Sequence, residues 1–441
     1  MATTYLTRSL SSTSTSWTFS AWVKRSGITS TNYLISWGNS GTDGTGIGFN
    51  SSDELFYYTE GGGGKQRKTS AKYRDTNAWY HLVVKSSSNA ITLYINGEEP
   101  TQAWTSGSSG VALDTSTMQI GKWVTSAYYH NGSMSHIHFS DGTAYAPSTF
   151  GSTDSTTGEW KINTSPSFTL GTNGFTILKD GNTITDQSSN SNNFSLGGGT
   201  LTATKDCPSN VFATLNPLVT YGTNQNALSQ GNNTLTGISY HRPSPPTIAV
   251  NKGKWYFEAK ALSGSASKWW IGLCDTDYDT LNQGAIGATA NYIWGYVGTT
   301  NAANQRSQGI YQNDLRNGGS NVAISGMFSA GAIAVNDIYA MAVDLDNQKV
   351  WYSKNGVWNN GSGTESTTFN ASYPDSTNID ANRFYSIGVG AENSKWSINY
   401  GNGYFGTTAV SSAGTNASGN GIFEYNVPSG FTSISTKGLN L

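Results

Sequence analysis

Asp275-Thr276-Asp277-Tyr278-Asp279 sets three carboxylates at alternate positions just after the apolar run Trp270 to Leu273. Residues two apart on a strand share a face, and a retaining glycosidase needs its acid and nucleophile about 5–5.5 Å apart in one cleft. This run holds no glutamate and reads as a loop past the end of the strand, so it is weak acid–base machinery. The same side chains could converge on Ca²⁺, which takes about six to eight oxygens. No glycine and bidentate glutamate follow as in an EF-hand loop, so a solvated acidic turn is the plainer reading. His136-Ile137-His138, with His130 upstream, offers imidazoles to zinc. Imidazoles on the solvent face of a half-buried strand explain the same pattern without a metal.

Gly61 to Gly64 ahead of Lys65 imitates a phosphate loop, but Thr59 stands where the first glycine belongs and Gln66 where a Mg²⁺-binding hydroxyl belongs. A hairpin loop is the better account. Lys65, Arg67, Lys68, Lys72 and Arg74 form the densest basic patch, which suits either an anionic polysaccharide or lipid phosphate, or plain solvation. There is no Gly-x-Ser-x-Gly elbow, no His-Glu-x-x-His and no Cys-x-x-Cys, which argues against most hydrolytic chemistry. Aromatic residues remain. Trp104, Trp123, Tyr128, Tyr129, Tyr311 and Trp358 lie in turn-rich segments among Asn and Gly, where ring faces can stack on sugar, meet a partner or anchor loops. Trp17, Trp22, Trp255 and Tyr256 sit in regular strand patterns and read as core or half-core.

The elements that must position these residues are strands. Among 441 residues, 52 are Gly and only 12% are charged, while 12% are aromatic. That composition excludes an ordinary disordered chain and leaves a turn-rich β protein with a neutral Ser/Thr/Asn surface. Trp17 to Val23 alternates with Trp17, Phe19, Ala21 and Val23 on one face. Tyr80 to Lys85, Ala90 to Ile95 and Met134 to Phe139 continue the pattern, and Asn96-Gly97 is a hairpin turn. A second block runs through Lys254 to Lys260, Trp269 to Leu273, Tyr292 to Tyr296, Ile338 to Leu345, Lys349 to Lys354, Phe384 to Val389 and Trp396 to Tyr400, with a turn at Asn355-Gly356. Many short strands with Gly/Asn turns indicate sandwiches, not βαβ units. The net charge of −2 gives no field for nucleic acid. Cys207 and Cys274 make no disulfide framework. Met1 to Ser16 lacks the apolar stretch of a signal peptide, and no segment reads as membrane-spanning.

Phe19-Ser20-Ala21-Trp22-Val23-Lys24, Trp79-Tyr80-His81-Leu82-Val83-Val84, Leu93-Tyr94-Ile95-Asn96-Gly97 and Gly132 to Phe139 resemble a laminin-G-like domain of the concanavalin-A-like jelly-roll class. Gly253-Lys254-Trp255-Tyr256-Phe257-Glu258, Ile271-Gly272-Leu273, Ala342 to Asn347 and Tyr352-Ser353-Lys354-Asn355-Gly356 resemble a SPRY domain. The tandem order, with Ser/Asn/Gly-rich joins, looks like virion proteins of tailed phages of marine bacteria.

The expectation is an all-β chain: a laminin-G-like sandwich over 1–152, a connecting β region over 153–215, a SPRY-like sandwich over 216–407 and a C-terminal extension over 408–441. The resemblance implies a non-enzymatic virion protein, made in the host cytoplasm and acting as a fibre or capsid-surface decoration. It would be homo-oligomeric, attach to host-surface glycan, contact other virion proteins, and neither bind nucleic acid nor insert into membrane. Two alternatives stand beside it: a purely structural decoration binding virion proteins through the SPRY-like block, and a polysaccharide-degrading glycosidase. The latter is disfavoured because the first block lacks the Glu-x-Asp-x-Glu strand of laminarinase-like enzymes, and Glu98 and Glu99 are adjacent. No cofactor is expected, calcium at Asp275, Asp277 and Asp279 being the one ion left open.

Overall fold

Apolar residues at every second position force strands to pair into sheets with one dry face. The computed structural model describes residues 3–39, 42–179, 183–219, 225–238, 242–264, 269–276, 307–311, 314–317, 321–360, 364–377, 379–381, 383–411 and 419–440. They form two compact units, Met1–Ala203 and Thr204–Leu441. Both are all-β, and the described residues contain no helix beyond the 3-10 turns Pro147–Thr149 and Gly438–Asn440.

In the first unit an eight-stranded sheet runs in the order Ser195–Gly198, Tyr5–Ser9, Thr117–Ile120, Asn32–Gly38, Thr45–Phe49, Leu55–Thr59, Lys65–Thr69, Gln102–Ser106. It packs on a five-stranded sheet ordered Phe175–Ile177, Gly132–Asp141, Trp17–Arg25, Trp79–Ser87, Ala90–Ile95. Trp17, Phe19, Ala21 and Val23 all face the shared core, as their alternation predicts, and so do Ile91, Leu93, Ile95, Ile137 and Phe139. One register row of the larger sheet, Leu6, Ile120, Ile35, Ile47 and Tyr57, lies in this core. Asn96 and Gly97 both take positive φ, 49° and 85°, as the hairpin requires.

The expected connecting region 153–215 is divided between the units. Phe175–Ile177 and Ser195–Gly198 each extend a sheet of the first unit. Phe212, Ala213 and Leu215 instead lie in the second, where Ala213 N donates to Ile434 O at 2.9 Å. That unit packs a nine-stranded sheet, centred on Lys254–Ser263 and Ile338–Asp344, against a six-stranded sheet centred on Trp269–Asp275 and Tyr385–Ala391. Trp255, Phe257, Met341 and Val343 meet Trp269, Ile271, Ile387 and Val389 between them. The expected strand Tyr292 to Tyr296 lies outside the described residues. Within the C-terminal stretch, Thr432–Ser433 pairs in parallel with Trp255 and Tyr256. Phe423, Val427 and Phe431 cover Tyr256, Trp351 and Trp358 on the sheet's other face.

Buried titratable groups give the units opposite pH responses. His81 receives the Trp160 Nε1–H on Nδ1 at 2.9 Å, so its Nε2–H donates to Ser20 Oγ, also 2.9 Å away. His138 contacts Thr176 Oγ1 at 3.0 Å and stacks on Phe150. The expectation of solvated imidazoles therefore fails for His138, because residues 145–168 lay Tyr145, Phe150 and Phe168 over this face of the sheet. Positive φ at His136 also breaks the alternation there. Burial holds His81, His130 and His138 neutral, each pushed down to about 3. In the second unit Glu258 is fully buried and accepts bonds from Tyr256 Oη at 2.9 Å and from the Glu424 and Tyr425 amides at 2.8 and 2.9 Å. Desolvation outweighs these donors and raises its carboxyl to about 7.

A histidine depressed below its unfolded value stabilises the fold above about pH 6.5 and loses that contribution as pH falls, with a slope of up to about 1.4 kcal/mol per pH unit for each group. A raised carboxyl does the reverse: its stability is present below about pH 4.5 and fades as pH rises through 7. Calorimetry of the intact chain is expected to show one transition falling and the other rising between neutral and mildly acidic pH. Glu258→Gln is expected to flatten the rising one. Parallel movement of both transitions contradicts the assignment.

Candidate functional site

Paired residues in a sheet point to the same side. Next to the buried row, the eight-stranded sheet carries an outward row that crosses every strand: Ser195, Thr7, Gln119, Ser36, Gly46, Tyr58, Gln66 and Ser106. None is charged or aliphatic, so this face offers hydroxyls and amides where its reverse is apolar.

At the centre of this face the strand Thr45–Phe49 and the residue before it present glycine outward at Gly44, Gly46 and Gly48, between the inward residues Thr45, Ile47 and Phe49. A Cβ at Gly44 would sit 2.5 Å from the Trp123 ring, and one at Gly46 would sit 2.7 Å from Tyr33 and 2.9 Å from Trp123. The missing side chains let the loop 121–129 lie down on the sheet. Trp123 packs on Tyr33 with centroids 4.3 Å apart and on Tyr58 at 5.9 Å. Tyr33 in turn meets Phe56 and Tyr128. The result is an aromatic ridge whose tip is Tyr128, 50% exposed.

The ridge is edged with polar groups. One Glu60 carboxylate oxygen is buried and has no hydrogen-bond partner among the described residues. Burial and the neighbouring Asp43 raise its pKa, partly offset by the Gly44 amide. Burial, the Tyr58 phenol and Glu60 raise Tyr33 as well, so the phenols stay protonated donors. On the other flank Lys122 Nζ lies over the rings of Tyr5 and Tyr129 at 4.9 and 5.9 Å. Aromatic faces beside phenol, hydroxyl and amide groups are the chemistry that holds a polyhydroxylated ligand.

Of the aromatic residues expected to bind, Tyr128 and Tyr129 lie on this ridge. Trp123 is its buried base, 3% exposed, and has no free ring face. Trp104 is on the edge strand, half-buried, edge-on to Tyr57 and beneath the Arg67 guanidinium. Trp358 is packed between Tyr256 and Phe369 in the second unit, 5% exposed. Tyr311 is on the strand Ser307–Tyr311, opposite Trp270.

The basic patch is split by the pleat. Lys68 pairs with Glu54 at 2.7 Å and Arg74 with Asp53 at 2.8 Å, while Arg67 donates to Gln102 Oε1 and turns to the opposite face from Lys68. Lys72 is exposed in the following turn, and Lys65 follows three positive-φ glycines in the hairpin loop. Asp275 is 1% exposed and bonds Arg383 at 2.7 Å, so its carboxylate is spent on an ion pair. Asp277 and Asp279 lie outside the described residues. Among the described residues no group of three or more His, Cys, Asp or Glu could hold a metal ion.

The sequence reading passed over Tyr5, Tyr33, Tyr58 and Glu60. The available signal was Gly44-x-Gly46-x-Gly48 at strand period, which strips one face of a strand and so asks what lies on it.

Residues 2–148 match the family model described as the Concanavalin A-like lectin/glucanases superfamily, over the block that resembles a laminin-G-like domain. No curated protein matches the chain. Among solved structures, a heptameric pentraxin from Limulus polyphemus is similar at 17% identity, covering 32% of this chain and 71% of that one with a TM-score of 0.27. Domain 4 of the arabinanase AbnA from Geobacillus stearothermophilus, in complex with arabinotriose, is similar at 18%, covering 31% and 64% with a TM-score of 0.25. The SPRY domain of human HERC1 is similar at 12%, covering 38% and 87% with a TM-score of 0.23.

Gly46→Val is expected to lift Trp123 and Tyr33 off the sheet. It should cost the first unit about 1–3 kcal/mol, the usual penalty for overpacking, and red-shift tryptophan emission. Unchanged stability and emission contradict the packing described.

Proposed function

We propose that the protein is a non-catalytic carbohydrate-binding protein and that the outward face of the eight-stranded sheet is its binding surface. The observation that carries the reading is the aromatic ridge ending in exposed Tyr128, set on a sheet face of hydroxyls and amides. Residues 2–148 match a superfamily named for lectins and glucanases, which supports a sugar as the ligand class. The non-catalytic reading is supported by Asp275, the described member of the alternating acids, which is sealed against Arg383.

In this reading the chain is a virion component, and repeated copies multiply many weak contacts with host-surface glycan into avidity. The second unit contacts other virion proteins. These two roles rest on the tandem resemblance.

The test is a polysaccharide and host-envelope binding screen of the intact protein with a parallel assay for released reducing ends. Saturable binding without release of reducing ends is expected. Tyr128→Ala is expected to weaken it about three- to tenfold, the equivalent of about 0.5–1.5 kcal/mol of lost stacking, with no change in melting temperature. Release of reducing ends, or binding to virion proteins alone, contradicts the proposal.

A further inference from the structure

The Ser/Asn tract Asp186 to Asn193 folds into a tightly bonded loop. Asp186 is its hub: Oδ1 accepts the Thr176 and Ser188 amides at 2.9 Å each, and Oδ2 accepts the Ser188 hydroxyl at 2.9 Å and the Asn192 amide at 2.7 Å. Asn190 Nδ2 donates to the Gly171 and Gly174 carbonyls, and Asn192 Nδ2 to those of Thr172 and Gly174. Arg8 fastens the loop to the sheet. Its guanidinium donates to Asn192 Oδ1 at 2.7 Å and to the Asn173 carbonyl at 2.9 Å, and it lies 5.9 and 5.7 Å from the ring centres of Phe175 and Phe194.

This loop walls a groove of about 550 Å³ whose floor is the outward side of the strands Tyr5–Ser9 and Thr117–Ile120. Thr7, Ser9 and Thr117 face it from the floor, and Ser191, Asn193 and Ser195 from the wall. Asn193 spends its Oδ1 on the Asp186 amide, which leaves its Nδ2 to donate. The hydroxyls of the other five make no hydrogen bond among the described residues. Arg8, the one cation among the described residues lining the groove, directs two of its five N–H donors to Asn173 and Asn192 and lies against the two phenylalanine rings.

Both sides of this arrangement point to the same ligand. A rigid frame has paid its ordering entropy in advance, so its free donors and acceptors are available to a partner at low cost. Those groups are neutral hydroxyls and an amide, each able to exchange hydrogen bonds with a ligand hydroxyl. An anion would meet a single cation, turned to Asn192, Asn173 and two phenyl rings, among a majority of neutral groups, and would lose more hydration than that contact returns. Tyr5, two residues along the same face from Thr7, has its ring 6.2 Å from that of Tyr129.

We propose that this groove is a binding subsite for an uncharged, hydroxyl-rich glycan segment. The proposal rests on the carbohydrate reading above and adds a second place of contact and a charge class.

The experiment uses the intact protein, by isothermal titration and affinity electrophoresis. The probes are neutral dextran, laminarin, mannan and xylan, with dextran sulfate and alginate as anionic comparators. Thr7→Val with Thr117→Val removes two floor hydroxyls at nearly constant shape, and an unchanged melting temperature checks the fold. Asn193→Leu is the independent second variant. The expected result is saturable binding to a neutral polymer, little altered between low and high salt, and weakened at least tenfold by the double variant and by Asn193→Leu. Neutral binding that Tyr128→Ala weakens but neither groove variant alters overturns the subsite and leaves the carbohydrate reading standing. Binding confined to the anionic polymers overturns the charge class. Binding to none of the probes overturns both.

Discussion

The outward face of the eight-stranded sheet depends on two missing side chains. With no Cβ at Gly44 and Gly46, the Trp123 and Tyr33 rings can rest against the backbone of the strand Thr45–Phe49. Any larger residue there would drive them off, because its Cβ alone would sit 2.5 to 2.9 Å from these rings, shorter than a carbon contact allows. That close approach seats the loop 121–129 on the sheet, raises Tyr128 into solvent and aligns Lys122 over Tyr5 and Tyr129. The strand pays for this with glycine's backbone entropy and compensates through its reverse face, where Ile47 and Phe49 are fully buried.

Each unit also closes one of its sheets with its own chain, by different chemistry. In the first, Trp160, Phe150 and Phe168 cover His81 and His138 on the five-stranded sheet. In the second, the segment carrying Phe423, Val427 and Phe431 covers the nine-stranded sheet and is tied down by two backbone amides on the Glu258 carboxylate. Burial favours the neutral form, which is the protonated one for a carboxyl and the deprotonated one for an imidazole, so the two closures respond to protons with opposite sign. The eight-stranded sheet has its outward residues only partly covered, by the ridge, which leaves it as the face of the first unit available to a ligand.

Much of the architecture was legible from side-chain period alone. Trp17, Phe19, Ala21 and Val23 face the core because alternation is enforced wherever one side of a sheet is dry. Asn96-Gly97 and Asn355-Gly356 turn as expected, with positive φ at all four residues. The all-β reading holds, and the family match covers the block that resembles a laminin-G-like domain. What escaped was set by contacts distant in sequence. Trp123 and Trp358 sit in turn-rich segments, yet both are buried, since a glycine face 75 or more residues away receives one and a C-terminal segment helps cover the other. Asp186 to Asn193 is a run of polar residues with no side-chain period to announce its structure. Its order comes from a single carboxylate whose partners reach back to Thr176, with Arg8 clamping it from the other end of the unit.

Hydrogen–deuterium exchange of the intact chain, with and without a saturating oligosaccharide taken from its strongest-binding polymer, tests the central claim most directly. The account predicts slowed exchange in the segments 5–9, 117–130 and 186–196, with the cap at 145–168 and the whole second unit unchanged. Protection confined to the second unit, or to the capped five-stranded sheet, would contradict it.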